Sequence, residues 1–146
     1  MNVNDKYIDL LPDIYKRSYL EYRKGLFHVE GWGSHQPVII HVLNTVTVGK
    51  VLEFGMGYNS TPIFHTICKA QKRNLISVDF DFTWYKRFTG YKSDSHKILF
   101  MDQDLFRNKE HSFLPLNNNY SIVFVDSRPA WTRTMLIELV KDRADT

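Results

Sequence analysis

Residues Val51-Leu52-Glu53-Phe54-Gly55-Met56-Gly57-Tyr58-Asn59-Ser60-Thr61-Pro62 decide the fold. An apolar run ends in Glu53-Phe54 and a Gly-x-Gly turn follows. Ser60 or Thr61, with Pro62 behind it, reads as the capped start of a helix. The next apolar run, Leu75-Ile76-Ser77-Val78-Asp79, closes on an acid. Strand, glycine turn, helix and acid-terminated strand, in that order, are the layout of a nucleotide-binding βαβ unit. Gly55 and Gly57 let the backbone turn sharply and approach a ligand. A carboxylate at Asp79 can accept hydrogen bonds from the vicinal hydroxyls of a ribose. Where the dinucleotide fingerprint has its third Gly, this chain has Asn59-Ser60-Thr61, and Glu53 stands two residues before Gly55. These departures suit a ligand with a small amino-acid moiety better than one with a pyrophosphate.

Working outward, residues 6–24 carry Tyr7, Ile8, Leu11, Ile14, Tyr15, Tyr19 and Tyr22 at helical spacing, with Pro12 as a kink or as the start of a second helix. The tyrosines among them read as a helix-packing surface rather than a stacking platform. Gly25 and Gly31-Trp32-Gly33 break the pattern. Ser34 is placed to cap a helix with Pro37 in its first turn, although the β-branched run Val38–Val42 keeps a strand open as an alternative. Strands are expected at 49–54, 75–79, 96–101 and 120–125, and helices at 82–88 and about 131–143. The helix after Pro62 would bury Ile63, Phe64, Ile67 and Cys68, which makes Cys68 a core thiol. The expectation is an α/β Rossmann-like three-layer sandwich with a mainly parallel sheet in strand order 3-2-1-4. Residues 1–48 would be a helical segment packing on a core formed by 49–146, one domain overall. Glu53, Asp79, Asp102 and Asp126 would then all fall at carboxyl ends of strands, where ligands bind in such sheets.

The 146 residues are 43% hydrophobic and 14% aromatic, enough for a packed core. A net charge of only +3 is compatible with an anionic substrate without demonstrating one. The basic pairs are dispersed, and no basic stripe with interleaved aromatics singles out nucleic acid. The single cysteine excludes an internal disulfide, and no run is long enough to span a membrane. The expected location is the cytoplasm. His28, His41, His65, His96 and His111 lack metal-ligand spacing, so no metal is expected.

On Val51–Gly57, Asp79, Asp102 and Val123-Phe124-Val125-Asp126, the chain resembles class I S-adenosylmethionine-dependent methyltransferases over about residues 30–146. Gly57-Tyr58-Asn59-Ser60-Thr61-Pro62 is similar to the turn of small phage and bacterial members. The resemblance implies S-adenosylmethionine as cofactor. Glu53, Gly55 and Gly57 would hold its methionine part, Asp79 its ribose, and Asp102 or Asp104 its adenine amino group. Asp126 would lie near the sulfonium and the methyl acceptor. The cofactor's own carboxylate would suit the helix start at Ser60-Thr61, and Tyr58 would line the pocket. Gly31-Trp32-Gly33-Ser34-His35 would reach over the cofactor or form a tight turn with Trp32 in the core. Methyl transfer needs a base only if the acceptor loses a proton, and Asp126, His35 and Tyr58 are the candidates.

The family's sheet continues beyond a fourth strand, whereas this chain ends at Ala144-Asp145-Thr146. The expectation is a truncated methyltransferase-like domain acting on an unidentified acceptor. The alternative is a non-catalytic cofactor-binding or assembly protein. A dinucleotide-binding domain is a third reading, opposed by the missing Gly. In a truncated sheet the fourth strand would be an apolar edge, expected to pair with a second copy of the chain or to be covered by the N-terminal segment.

Overall fold

A computed structural model describes residues 5–26, 34–109, 115, 119–142 and 144. The expected turn at Gly31-Trp32-Gly33 lies outside these residues, as do His28 and His111. The chain divides into two compact units, residues 1–48 with 57–72, and residues 49–56 with 73–146.

In the first unit a 3-10 turn, Asp5–Leu10, precedes α1 (Asp13–Arg23), α2 (Gln36–Thr45) and α3 (Thr61–Ala70). Pro12 sits at the N-cap of α1, so it starts a second helix rather than kinking one. The run Val38–Val42 is helical within α2. Ser34 does not cap α2: His35 holds the N-cap position, with Pro37 in the first turn. The reason lies in Pro37 itself. A cap at Ser34 would put Pro37 third in the helix, which removes one of the two backbone N–H groups that a capping oxygen can use. Helix α1 packs on α2 and α2 on α3. Ile63, Phe64, Ile67 and Cys68 of α3 are all buried, as their spacing predicts.

The second unit holds β1 (Val51–Phe54), β2 (Leu75–Asp79), β3 (His96–Phe100) and β4 (Ile122–Val125), with α4 (Phe82–Phe88), α5 (Gln103–Arg107) and α6 (Trp131–Val140). The sheet is parallel throughout, in the order β3-β2-β1-β4, so the protein is α/β and Rossmann-like as predicted. Strand β1 starts two residues later than expected because Gly49 (φ +95) still turns the chain. The buried Arg73 ties that turn down, its Nε donating to Gly49 O at 2.8 Å and its Nη2 to Ser121 Oγ at 2.7 Å. Strand β4 is likewise shorter than predicted. Tyr120 forms an isolated parallel bridge with Ala144 instead of joining the strand. Among the described residues that bridge is the only pairing on the outer side of the β4 region.

Strand side chains alternate between faces. Leu52, Phe54 and Val78 pack with Met101, Phe106 and Leu136 in one cluster. Each such side chain contributes about 1.5–3 kcal/mol by leaving water. Ile98 has the opposite parity and packs with Met56 and Phe88. No helix among the described residues is long and apolar enough to cross a membrane.

Candidate functional site at the carboxyl ends of the strands

Register aligns the strand ends. Phe54 of β1 pairs with Val78 on one side and Val125 on the other. Asp79 and Asp126 therefore stand level with Gly55, one residue beyond that rung. By the two-residue period they share the face of Glu53. The backbone locks this row: Gly55 N donates to Val78 O and Asp126 N to Phe54 O, each at 2.8 Å. Strands β1 and β4 are neighbours at the point where the strand order reverses, which is where such sheets bind ligands. Glu53, Gly55, Asp79 and Asp126, four of the residues singled out in the sequence, thus come together here.

Gly55 is demanded by the protein itself. Its φ is +93, and a Cβ there would lie 2.4 Å from the Asp126 carbonyl oxygen. Asp79 is buried, and its oxygens hold the glycine turn. Oδ2 accepts from Met56 N at 2.8 Å and Oδ1 from Asp81 N at 2.9 Å. Burial pushes its carboxyl above the ordinary value, although the N–H bonds from Asp81 and Met56 pull the other way. The indole of Trp84 also ties the turn, donating to Met56 O. Glu53 is fully enclosed, and its Oε2 accepts from Ser77 Oγ at 2.6 Å. Asp126 is about half exposed and pairs with Arg133 of α6 at 3.0 Å. Arg133 also donates to Ser127 O at 2.8 Å.

No model of a known protein family matches the chain, and no curated protein matches it. The case for function therefore rests on geometry.

Asp102 follows β3 and caps α5, its Oδ1 accepting from Asp104 N at 2.9 Å and Leu105 N at 3.1 Å. Helix α5 was missed in the sequence, although Asp102 with Asp104 two residues on is an N-cap followed by a first-turn acid. Asp104 itself pairs with Arg107 at 3.8 Å on the surface. Gln103 donates to Phe80 O at 3.2 Å, joining the loops after β3 and β2. Two residues before Asp102, Phe100 meets Phe82 edge to face at 5.2 Å, and Tyr85 lies 5.9 Å from each ring. Phe82 and Phe100 remain 54% and 37% exposed, an aromatic surface that scattered spacing concealed.

In the first unit, Ser60 occupies the N-cap of α3 but makes no side-chain cap bond to the helix. The Thr61 hydroxyl turns back instead and accepts from Gly57 N at 3.0 Å. That bond, with Thr61 N donating to Gly57 O at 2.9 Å, closes the Gly57–Thr61 turn on itself. Tyr58 is exposed, and its carbonyl accepts from the Tyr15 hydroxyl at 2.5 Å. Asn59 Oδ1 accepts from Gln36 at 2.6 Å. His35 serves as the N-cap residue of α2. Among the described residues no group of His, Cys, Asp or Glu is placed to hold a metal ion.

Sequence reasoning also missed Ser77 and His96, which join Glu53 in one buried hydrogen-bonded chain. The available signal was a lone Ser inside an apolar strand, since a buried hydroxyl needs a partner. The register that names the partner is not written in the sequence.

Proposed function

We propose that the carboxyl ends of β1, β2 and β4 bind S-adenosylmethionine and that the chain is a methyltransferase-like domain. The observation that carries this reading is the level row of acids on one sheet face, Asp79 and Asp126 beside Gly55 with Glu53 behind them. A cofactor with a sulfonium and an ammonium suits a site lined by carboxylates. A carboxylate has about four acceptor positions. Asp79 spends one on each oxygen and keeps capacity for ribose hydroxyls. Phe82, Tyr85 and Phe100 add an aromatic surface of the kind that a heteroaromatic base stacks on. When bound, the cofactor would supply an activated methyl group, and the protein's part is to hold acceptor, methyl and sulfur in line.

The Asp126–Arg133 pair favours a second reading, binding without turnover, because the best-placed candidate base already has a partner. In that form the chain would be an assembly protein whose β4 edge pairs with a second copy.

Calorimetric titration of the 146-residue chain with S-adenosylmethionine tests the reading, with NAD as the control. Saturable binding of the first and none of the second is expected. A chain that takes up no S-adenosylmethionine, or that prefers NAD, would end the proposal. Turnover of an acceptor would then separate enzyme from binder.

A further inference from the structure

Glu53, Ser77 and His96 form a hydrogen-bonded chain across three strands. Glu53 lies on β1, and Ser77 is its direct partner on β2. His96 opens β3 beside Leu75, one same-face position back from Ser77. Strand periodicity sends all three side chains to one face. Ser77 Oγ donates to Glu53 Oε2 at 2.6 Å and stands 2.8 Å from His96 Nε2. Glu53 and Ser77 are 0% exposed and His96 is 2% exposed, so water does not compete for these bonds.

Proton counting leaves two orders for the chain, told apart by whether His96 Nε2 carries a hydrogen. A serine hydroxyl has one hydrogen to give. Once it is given to Glu53, the Ser77 oxygen can only accept from His96, and His96 Nε2 must carry a hydrogen. A separation of 2.6 Å is in the range of O–H bonds to an ionised oxygen. In the reverse order a protonated Glu53 donates to Ser77 and Ser77 donates to a bare Nε2. That order would offer a ligand no charge. A hydrogen on His96 Nε2 would therefore mark the order with a negative Glu53, and a bare Nε2 the neutral one.

We propose that Ser77 and His96 are positioning residues, which hold Glu53 as a carboxylate in one orientation to receive the ammonium of the cofactor's amino-acid end. This rests on the S-adenosylmethionine reading above. The interior location strengthens the effect, because charge interactions are stronger away from water. At its other end the chain approaches solvent. His96 lines an open cleft of about 340 Å³ together with Lys92, Ser93 and Lys97.

The test is a pair of calorimetric titrations, one with S-adenosylmethionine and one with 5′-methylthioadenosine, which keeps the adenosine and lacks the amino-acid end. In Ser77→Ala and Ser77→Cys, affinity for S-adenosylmethionine should fall about tenfold or more, the scale of a lost hydrogen bond to a charged group. Affinity for methylthioadenosine should stay within about twofold, which is below 0.5 kcal/mol. Equal losses on both ligands, or no loss on S-adenosylmethionine, overturn the positioning role and leave the cofactor reading standing. A wild-type chain that binds neither ligand overturns both. Where a variant does not fold, or methylthioadenosine binds too weakly to read, nitrogen NMR of His96 in the wild type with S-adenosylmethionine decides. A protonated Nε2 is expected, and a bare Nε2 sinks the proposal.

Discussion

The two glycines of the turn answer to different demands, and substituting each by Ala separates them. At Gly55 the backbone has φ +93, a region costing a side-chain-bearing residue about 1–3 kcal/mol. The added Cβ would also stand 2.4 Å from Asp126 O, 2.5 Å from its carbon and 2.6 Å from Ser127 N. These are backbone atoms held by the β1–β4 ladder, so they cannot swing aside. Relieving such overlap costs about 1–3 kcal/mol. Gly55→Ala should therefore lose about 2–6 kcal/mol, a large part of the roughly 5–15 kcal/mol that holds a domain together. At Gly57 a Cβ would meet only Ser60 Oγ, at 3.9 Å. Gly57→Ala should then leave stability unchanged or raise it by about 0.4–1 kcal/mol, by stiffening the unfolded chain. Urea unfolding followed by circular dichroism reads both. With a slope of about 2 kcal/mol per molar, Gly55→Ala should drop the midpoint by about 1–3 M, while Gly57→Ala should not. A Gly55→Ala protein with the wild-type midpoint would show that the approach of Asp126 does not require the glycine.

Asp79→Asn should change the pH dependence of stability. Burial raises the native carboxyl above its ordinary 3.8, so between that value and the native one the folded state binds more protons than the unfolded. The stability due to this proton is complete below 3.8 and is lost as pH climbs through the native value. The wild type should thus lose ground to Asp79→Asn over that window in urea midpoints. A gain with rising pH would contradict the burial argument. Arg73→Ala removes the bonds to Gly49 O and Ser121 Oγ and should cost about 2–4 kcal/mol, seen as a lower melting temperature. An unchanged melting temperature would mean that the clamp carries no net energy. Light scattering should find a dimer that dissociates on dilution if the β4 edge pairs with a second copy, and a strict monomer at high concentration would remove that reading.

How much of this was legible depended on the length scale of each cause. Helix α4 and strand β2 match their expected ranges residue for residue, because adjacent residues set them: Asp81 caps the one and Asp79 ends the other. The strand order followed from connectivity rules and the single glycine turn. The ends of β1 and β4 shifted because their causes are remote. Arg73 anchors Gly49 from 24 positions away and Ser121 from 48. The site was legible as a set of acids at strand ends but not as a set of contacts. No periodicity discloses that Arg133 faces Asp126 or that Ser77 bridges Glu53 and His96.

These contacts rank the acids by what they can still do. Asp79 is the fixed member. It is buried and holds two backbone N–H groups that no other acceptor is shown to serve, so releasing it would strand them at about 1–3 kcal/mol each. A ligand can use only the lone pairs that Asp79 has left. Asp126 is the movable member. Its bond to Arg133 joins side chains 42% and 41% exposed, and an ion pair at such a position is worth about 0–1 kcal/mol. An incoming cation can displace Arg133 at little cost, and Asp126 then faces the ligand. Asp126→Asn should accordingly move stability by less than about 1 kcal/mol while weakening a cationic ligand more than a neutral analogue. If it instead destabilises the fold by several kcal/mol and leaves the ligand preference intact, Asp126 belongs to the scaffold, and the row of acids loses the member best placed for chemistry.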